Sequence, residues 1–587
     1  MSGSPPDPMD RKHSEARYDR YSDSSAMDSP KSSMYKSRHI SLQSRVDSIA
    51  EQNIYGYSSD EQHSLPDLPA TYKQSSRSRS YLLEPSYPGY EPEAIGEPPS
   101  PTMDTHMLPQ SAIKMSTLHE ILFVGVVAVS HLMTQAGLGQ ALVPLDIISQ
   151  SFGVTNPGEQ SWFIASYSLT VGTFILISGR LGDILGHKRM FVFGYAWFGV
   201  WSAFAGFAVY PQKQIFFDVC RAMQGIGPAL IMPNGLALFG RAYPPGIKKN
   251  IVFSIFGAVA PMGFVIGATF GSLFAEVVWW PWAFWSFGIA CWGLACLALL
   301  VVPRELSEKP MNTPGFDWTG SLMAVIGLVL VNVAWNNGPL FGWGTPHVYF
   351  LLIIGMLCLV GFVWVERRAE NPILPMQAMT GSVNFVLGCV GLGWGAFGVW
   401  VFYTYRFLEK VRHFTPLSGS AAFAPAVISG LLAAGATGFM LTHTPVSFVM
   451  MISMCAFALG IIVAATQPAQ QTYWAQMFVS IAIMPFGMDM SFPAASVILS
   501  NCMPPEHQGL AMSLVNTVVN YSISIALGIA GTIEVYTTPN LGTPQGELQG
   551  IRAAFYTAIG LSLAGLLCGA LFFLKSLQKE GWKVMDH

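Results

Sequence analysis

The chain has 587 residues, of which 51% are hydrophobic and 11% charged, with a mean hydropathy of +0.41. Soluble domains carry roughly 25% charged residues, so the composition excludes a soluble globular protein and defines a polytopic membrane protein of the all-α class. A net charge of −3 favours neither nucleic acid nor an acidic ligand, and no Gly-x4-Gly-Lys-Ser/Thr loop is present to hydrolyse ATP. The eight cysteines, Cys220 to Cys568, lie in or beside apolar runs and imply neither a disulfide framework nor a metal cluster, and no cofactor is indicated.

Residues 1–115 are rich in Ser, Pro, Asp, Tyr and Arg without any sustained apolar period. Such a segment cannot bury enough surface to offset the entropy of ordering and is expected to be a disordered cytosolic tail. The apolar run that follows it reads as an internal signal anchor rather than a cleaved signal peptide. Within the tail, Arg38-His-Ile-Ser41 and Ser29-Pro30 fit kinase sites, as chance matches in a Ser-rich segment also do.

Fourteen runs of membrane-crossing length follow. They centre on 125–142, 164–177, 192–208, 216–238, 252–273, 284–301, 322–333, 348–365, 386–405, 421–440, 448–465, 478–499, 512–532 and 554–574. The short loops on one side hold Arg180, Lys188, Arg189, Arg241, Lys248, Lys249, Arg304, Lys309, Arg367 and Arg368; the opposite loops hold Lys213, Arg406, Lys410, Arg412 and Arg552. Ten basic residues against five make the first side cytosolic, together with both termini.

The first run contains His131, close to the predicted midplane and suited by its ordinary pKa of about 6.5 to proton exchange. A hydrogen-bonded structural histidine is the other reading. After the second run comes Gly179-Arg-Leu-Gly-Asp183-Ile-Leu-Gly186-His-Lys188-Arg189. Its charges cannot sit in lipid, so it is expected to be a short cytosolic loop whose glycines allow a tight turn. The fourth run carries Arg221 about two turns inside its outer edge, with Asp218 three residues earlier and within pairing reach. An intramembrane arginine is costly and points to function, with a structural ion pair as the alternative. In the fifth run Pro261 offers a kink, and Gly263, Gly267 and Gly271 stack on one face as a seam for close helix contact. The twelfth run places Asp489 between Pro485 and Pro493, where it either takes up and releases a proton or caps a broken helix. Gln135, Asn234, Asn332, Tyr403, Asn516 and Asn520 are candidates to line a cavity, or to join helices.

Three of these strings carry a resemblance. The 179–189 segment resembles the signature between helices 2 and 3 of the major facilitator superfamily, Gly-x-Leu-x-Asp-Arg-x-Gly-Arg-Arg/Lys. The string Arg221-Ala-Met-Gln224-Gly225-Ile-Gly227-Pro-Ala229 resembles that superfamily's fourth-helix motif, whose arginine assists proton coupling. Its antiporter motif, Gly-x-x-x-Gly-Pro-x-x-Gly-Gly, is similar to Gly263-Phe-Val-Ile-Gly267-Ala268-Thr-Phe-Gly271-Ser272, with Ala268 for the proline and Ser272 for the last glycine. Fourteen spans are those of the drug:proton antiporters, and Gly186-His-Lys188-Arg189-Met-Phe and Tyr243-Pro-Pro-Gly246 are similar to the fungal aminotriazole-resistance and boron-efflux proteins. The branch includes low-affinity ammonium transporters. The acid usual in the first span of these antiporters is absent; this chain reads His131-Leu-Met-Thr134-Gln135 there.

The resemblance implies a major facilitator fold with six-helix halves at 116–303 and 376–575. Between them 304–375 holds a linker and two extra central helices, and 576–587 forms a second cytosolic tail. It implies a secondary transporter rather than an enzyme, set in the lipid bilayer of the plasma membrane or, alternatively, the vacuole. The expected activity is export of a small toxic molecule in exchange for protons, Arg221 and Asp218 assisting coupling and Asp183 with Lys188 and Arg189 latching the cytosolic gate. Low-affinity uptake of a small polar solute such as ammonium is the alternative, and a transporter-like nutrient receptor a remoter one.

Overall fold

A computed structural model describes residues 115–244, 247–307, 315–374, 379–502, 508–538 and 543–581. The tail before residue 115, with the kinase sites at Ser29 and Ser41, lies outside the described residues, as do residues 582–587.

The first group of helices is α1 (Thr117–Leu142), α2 (Leu145–Ser151), α3 (Pro157–Leu185), α4 (His187–Phe207), α5 (Gln214–Ala242), α6 (Ile247–Leu273) and α7 (Pro281–Val301). Two inserted helices follow, α8 (Trp318–Phe341) and α9 (Pro346–Glu366). The second group is α10 (Gly381–Arg406), α11 (Pro416–Ala422), α12 (Ala424–His443), α13 (Val446–Ala465), α14 (Gln476–Cys502), α15 (Gln508–Thr537) and α16 (Pro544–Glu580). Among the described residues these helices form 14 helical spans long and apolar enough to cross a membrane; α2 belongs to none of them, and α11 and α12 together make the span Pro416–His443. The spans alternate in direction, so both ends of the bundle emerge on one side, here the terminal face, opposite the far face. Residues 576–580, expected in a tail, continue α16.

Local chemistry sets the helix ends. Asn156 caps α3 through Gly158 N at 3.0 Å ahead of Pro157, Asp317 caps α8 through Gly320 N at 2.8 Å, and Thr543 caps α16 through Gly546 N at 3.1 Å. Each supplies an acceptor to a donor that the first helical turn leaves open. The expected loop over 179–189 is instead two helix ends separated by Gly186, whose φ of 98° is a conformation that favours glycine. A single residue suffices because the helices reverse directly against each other.

Within the first half α1 runs along α6, α3 and α4 along α5, and α4 along α7; in the second, α13 runs along α14 and α10 along α15 and α16. The glycine seam of α6 faces α1. A methyl at Gly263, Gly267 or Gly271 would fall within 3.0 Å of backbone atoms of Leu132, Ala136 and Gln140 respectively, and one at Gly139 would strike the backbone of Phe264. The four-residue glycine repeat of α6 thus lets its backbone touch that of α1. The halves meet along α3 and α15, and along α6 and α12, while α8 lies against both α3 and α15.

Gly267→Val forces a branched side chain onto the Ala136 backbone, and overpacking of this kind costs about 1–3 kcal/mol. Thermal unfolding in detergent should register that loss. Gly257→Ala on the same helix, where a methyl meets no atom within 4 Å, should leave the transition in place.

Candidate functional site

At the terminal face, Asp183 pairs with His187 at 3.2 Å and Arg241 at 3.7 Å. Lys188, expected to latch with it, instead donates from Nζ to the carbonyl oxygens of Leu299, at 2.9 Å, and Val302, closing the end of α7. This suits a cation at a helix C-terminus, where open carbonyls concentrate negative potential. Arg189 is exposed. Gly179 faces Ser513 of α15, so the signature segment lies where the halves meet, and a methyl at Gly182 would collide with Asn234 and His187. Asn234 donates to Leu230 O at 2.7 Å and Ser178 Oγ at 3.2 Å and bonds His187 Nδ1 at 2.8 Å. It therefore joins α3, α4 and α5 rather than lining a cavity.

Arg221 is fully buried, and the expected ion pair with Asp218 does not form. Its Nε donates to Phe163 O at 2.9 Å, its Nη1 to Gln224 Oε1, and its guanidinium lies 4.6 Å from the Tyr167 ring centroid and 5.9 Å from that of Phe284. Gln224 continues to Ser202 Oγ at 2.5 Å. Arg221 thus ties α3, α4, α5 and α7 by hydrogen bonds and cation–π contact. One nitrogen of Arg221 and one oxygen of Asp218 are buried without a hydrogen-bond partner. His131 also has partners within its half: its Nδ1 is 2.9 Å from Phe256 O and its ring stacks on Phe256 at 4.8 Å. Gln135, one turn further along α1, is half-buried.

Asp489 is different. The helix α14 is continuous through Pro485 and Pro493, so no broken helix needs a cap there. Its Oδ2 is buried and has no hydrogen-bond partner. A methyl at Gly430 of α12 would lie 3.0 Å from that oxygen and 3.0 Å from Pro261 of α6. The carboxylate therefore stands where α12 and α14 of one half meet α6 of the other. Of the four proton-site candidates, it alone sits at a contact between halves.

Several charged groups escaped the sequence reading. Arg406, counted as a loop charge, is buried within α10 and pairs with Glu534 of α15 at 2.7 Å and Glu547 of α16 at 2.9 Å. Tyr403, a cavity candidate, belongs to this network through its hydroxyl, which donates to Glu534 at 2.7 Å. Between the halves at the far face, Lys410 pairs with Asp146 of α2, and Leu417 N at the start of α11 donates to Glu276. Just beneath, Phe264 packs against Tyr405 and Phe423, with centroids 6.3 and 6.4 Å away. Asn516 and Asn520 donate to the carbonyls four residues earlier, at 3.0 Å each, near the close approach of α15 to Gly172. Asn332 joins α8 to α15 through Ser524 at 2.9 Å.

Two six-helix bundles joined across a central seam, with charged groups at both mouths and an unpaired carboxylate at mid-depth, define a multi-pass membrane transporter. The chain belongs to the Major Facilitator Superfamily, whose profile matches residues 125–445 and 385–584. It is 54% identical over 477 residues to the low affinity ammonium transporter of Saccharomyces cerevisiae, covering 80% of this chain and 92% of that protein. It is 44% identical over 468 residues to the efflux pump terJ of Aspergillus terreus, covering 78% and 89%. With the aminotriazole resistance protein of Saccharomyces cerevisiae it shares 39% over 471 residues, covering 78% and 85%. The solved POT family transporter PepTSo superposes with a TM-score of 0.58 at 16% identity, over 80% of this chain and 99% of that one, and shares the fold.

Glu534→Gln removes the more deeply buried partner of Arg406 and leaves it only the partly exposed Glu547, a change on the scale of breaking a buried ion pair, about 3–5 kcal/mol. Thermal unfolding should show that loss, with a smaller one for Glu547→Gln, whose carboxylate is 23% exposed.

Proposed function

We propose that this chain is a proton-coupled secondary transporter that exports small toxic molecules by alternating access, with Asp489 as the carboxylate that exchanges the proton. The observation that carries this reading is the unpartnered Oδ2 of Asp489 at the Pro261–Gly430 contact. An ionised carboxylate in such a place is costly unless something meets it, and a proton or a cationic substrate is what a transporter can bring. Movement of α6 against α12 alters its surroundings and so ties its occupancy to the position of the halves.

Alternating access is supported by where the halves are joined. The far face carries the cross-half ion pair Lys410–Asp146 and the bond from Leu417 N to Glu276, whereas Asp183–Arg241 and Lys248–Glu120 at the terminal face stay within the first half. Such an arrangement is a carrier shut at the far face. With Arg406 buried in the bundle, one exception to the loop-charge rule disappears, and the terminal face is the cytosolic one. The plasma membrane is where such an exporter clears the cell. The names of terJ and of the aminotriazole resistance protein favour export.

A second reading, low-affinity uptake of a small polar solute such as ammonium, is favoured by the 54% identity to the yeast ammonium transporter. The first-span acid of the antiporters is also absent, and Ala268 and Ser272 replace a proline and a glycine of their fifth-span motif. Flux in proteoliposomes, with aminotriazole and methylammonium as probes, separates the two. Under the proposed reading an imposed pH gradient drives uphill movement of the exported probe, and Asp489→Asn abolishes that drive while leaving downhill exchange. Wild-type flux indifferent to the gradient would sink proton coupling.

A further inference from the structure

We propose that the inserted helix α8 is the pivot on which the two halves turn, pinned by Asn332, Asn336 and Ser524. This rests on the alternating-access reading and assigns to the extra helix pair a task beyond spacing the halves.

α8 touches a helix from each half: α3 from the first and α15 from the second. All three pin residues are almost completely buried, at 0%, 2% and 0% exposure. Ser524 Oγ on α15 lies 2.9 Å from Asn332 Oδ1 on α8 and 3.2 Å from Ala165 O on α3. A hydroxyl has one hydrogen and can serve only one of these acceptors at a time. One acceptor belongs to the inserted helix and the other to the opposite half. Asn336 Nδ2 donates to Asn332 Oδ1 at 3.0 Å, within reach of Ser524 Oγ at 3.5 Å. Two further groups, Asn332 Nδ2 and Asn336 Oδ1, are buried with no partner. The knot therefore holds a spare donor, a spare acceptor and one hydroxyl with two destinations. Such a set can trade bonds as α3 and α15 turn past each other, so that neither arrangement need strand every group.

The surroundings fit a pivot. At Gly172 the backbones of α3 and α15 come so close that a methyl would lie 2.9 Å from Tyr521 N. With no side chain on Gly172, α3 meets α15 there through its backbone, the kind of contact a turning point needs. On either side of the knot α8 is fastened to α15. Tyr521 donates to Leu328 O at 3.0 Å, and a methyl at Gly528 would lie 2.8 Å from Trp335. α8 thus moves with the second half, and the exchange at Ser524 occurs against α3.

The test reads the far face. In membranes carrying the full chain with Asp146→Cys and Lys410→Cys, the rate of disulfide formation reports how often that face is closed. Asn332→Leu in this background should change the rate about threefold or more, the scale of one interhelical hydrogen bond in a bilayer, with the amount of inserted protein unchanged. Leu322→Ala, on the exposed side of α8, should leave it unaltered. Ser524→Ala removes a single hydroxyl and gives the same readout should Asn332→Leu fail to insert. A lowered unfolding temperature with an unchanged cross-linking rate would overturn the proposal and make the knot simple glue. A wild-type rate that ignores both pH gradient and transported probe would instead overturn alternating access.

Discussion

The hydrocarbon interior offers no water to a stray polar group, so each buried donor or acceptor must find its partner inside the protein or remain costly. Most of this molecule's intramembrane chemistry answers that constraint within a single half. Arg221 spends its hydrogen bonds on Phe163 and Gln224, His131 on Phe256, and Asn234 on Ser178, Leu230 and His187. Arg406 is neutralised by Glu534 and Glu547. These networks, with the backbone contact of α1 and α6, make each half a body that holds its own shape.

What is left over lies between the bodies. Asp489 faces the α6–α12 contact without a partner, Ser524 stands between α3 and α8, and Lys410 reaches Asp146 across the far face. Inside a half most of the named polar groups find partners, whereas the contacts between halves combine ring packing at Phe264, the backbone approach at Gly172 and a small set of exchangeable polar bonds. That division is what a carrier needs, since the halves must move past each other without unfolding. Arg221 and the 179–189 segment, read from the sequence as coupling and gating motifs, make most of their bonds within the first half.

The fourteen spans, the glycine seam and the superfamily were legible in the sequence, because apolar run length and four-residue glycine spacing are local signals. The partners of charged groups were not. Arg406 and Glu534 fall one and two residues beyond the apolar runs predicted at 386–405 and 512–532, so neither was counted as intramembrane, although the helices continue to Arg406 and Thr537. Asp218 and Arg221 share a helical face yet do not pair, because the aromatic ring of Tyr167 and the carbonyl of Phe163, both on another helix, claim the guanidinium. Lys188 was matched to the nearest acid in sequence, but the end of α7, over a hundred residues away, supplies its acceptors. The surroundings of Asp489 were equally illegible, since only the fold brings Pro261 and Gly430 beside it.

The central claim, that two rigid halves rock about their shared seam, is tested most directly by distances between spin labels in the transporting protein. One pair joins Lys213 to Gln470 at the far face, and another joins Arg189 to His443 at the terminal face, all four positions being exposed. On adding a pH gradient and the transported probe, the far-face distance should lengthen while the terminal-face distance shortens. Distances that stay fixed, or that change in the same direction while transport proceeds, would contradict it.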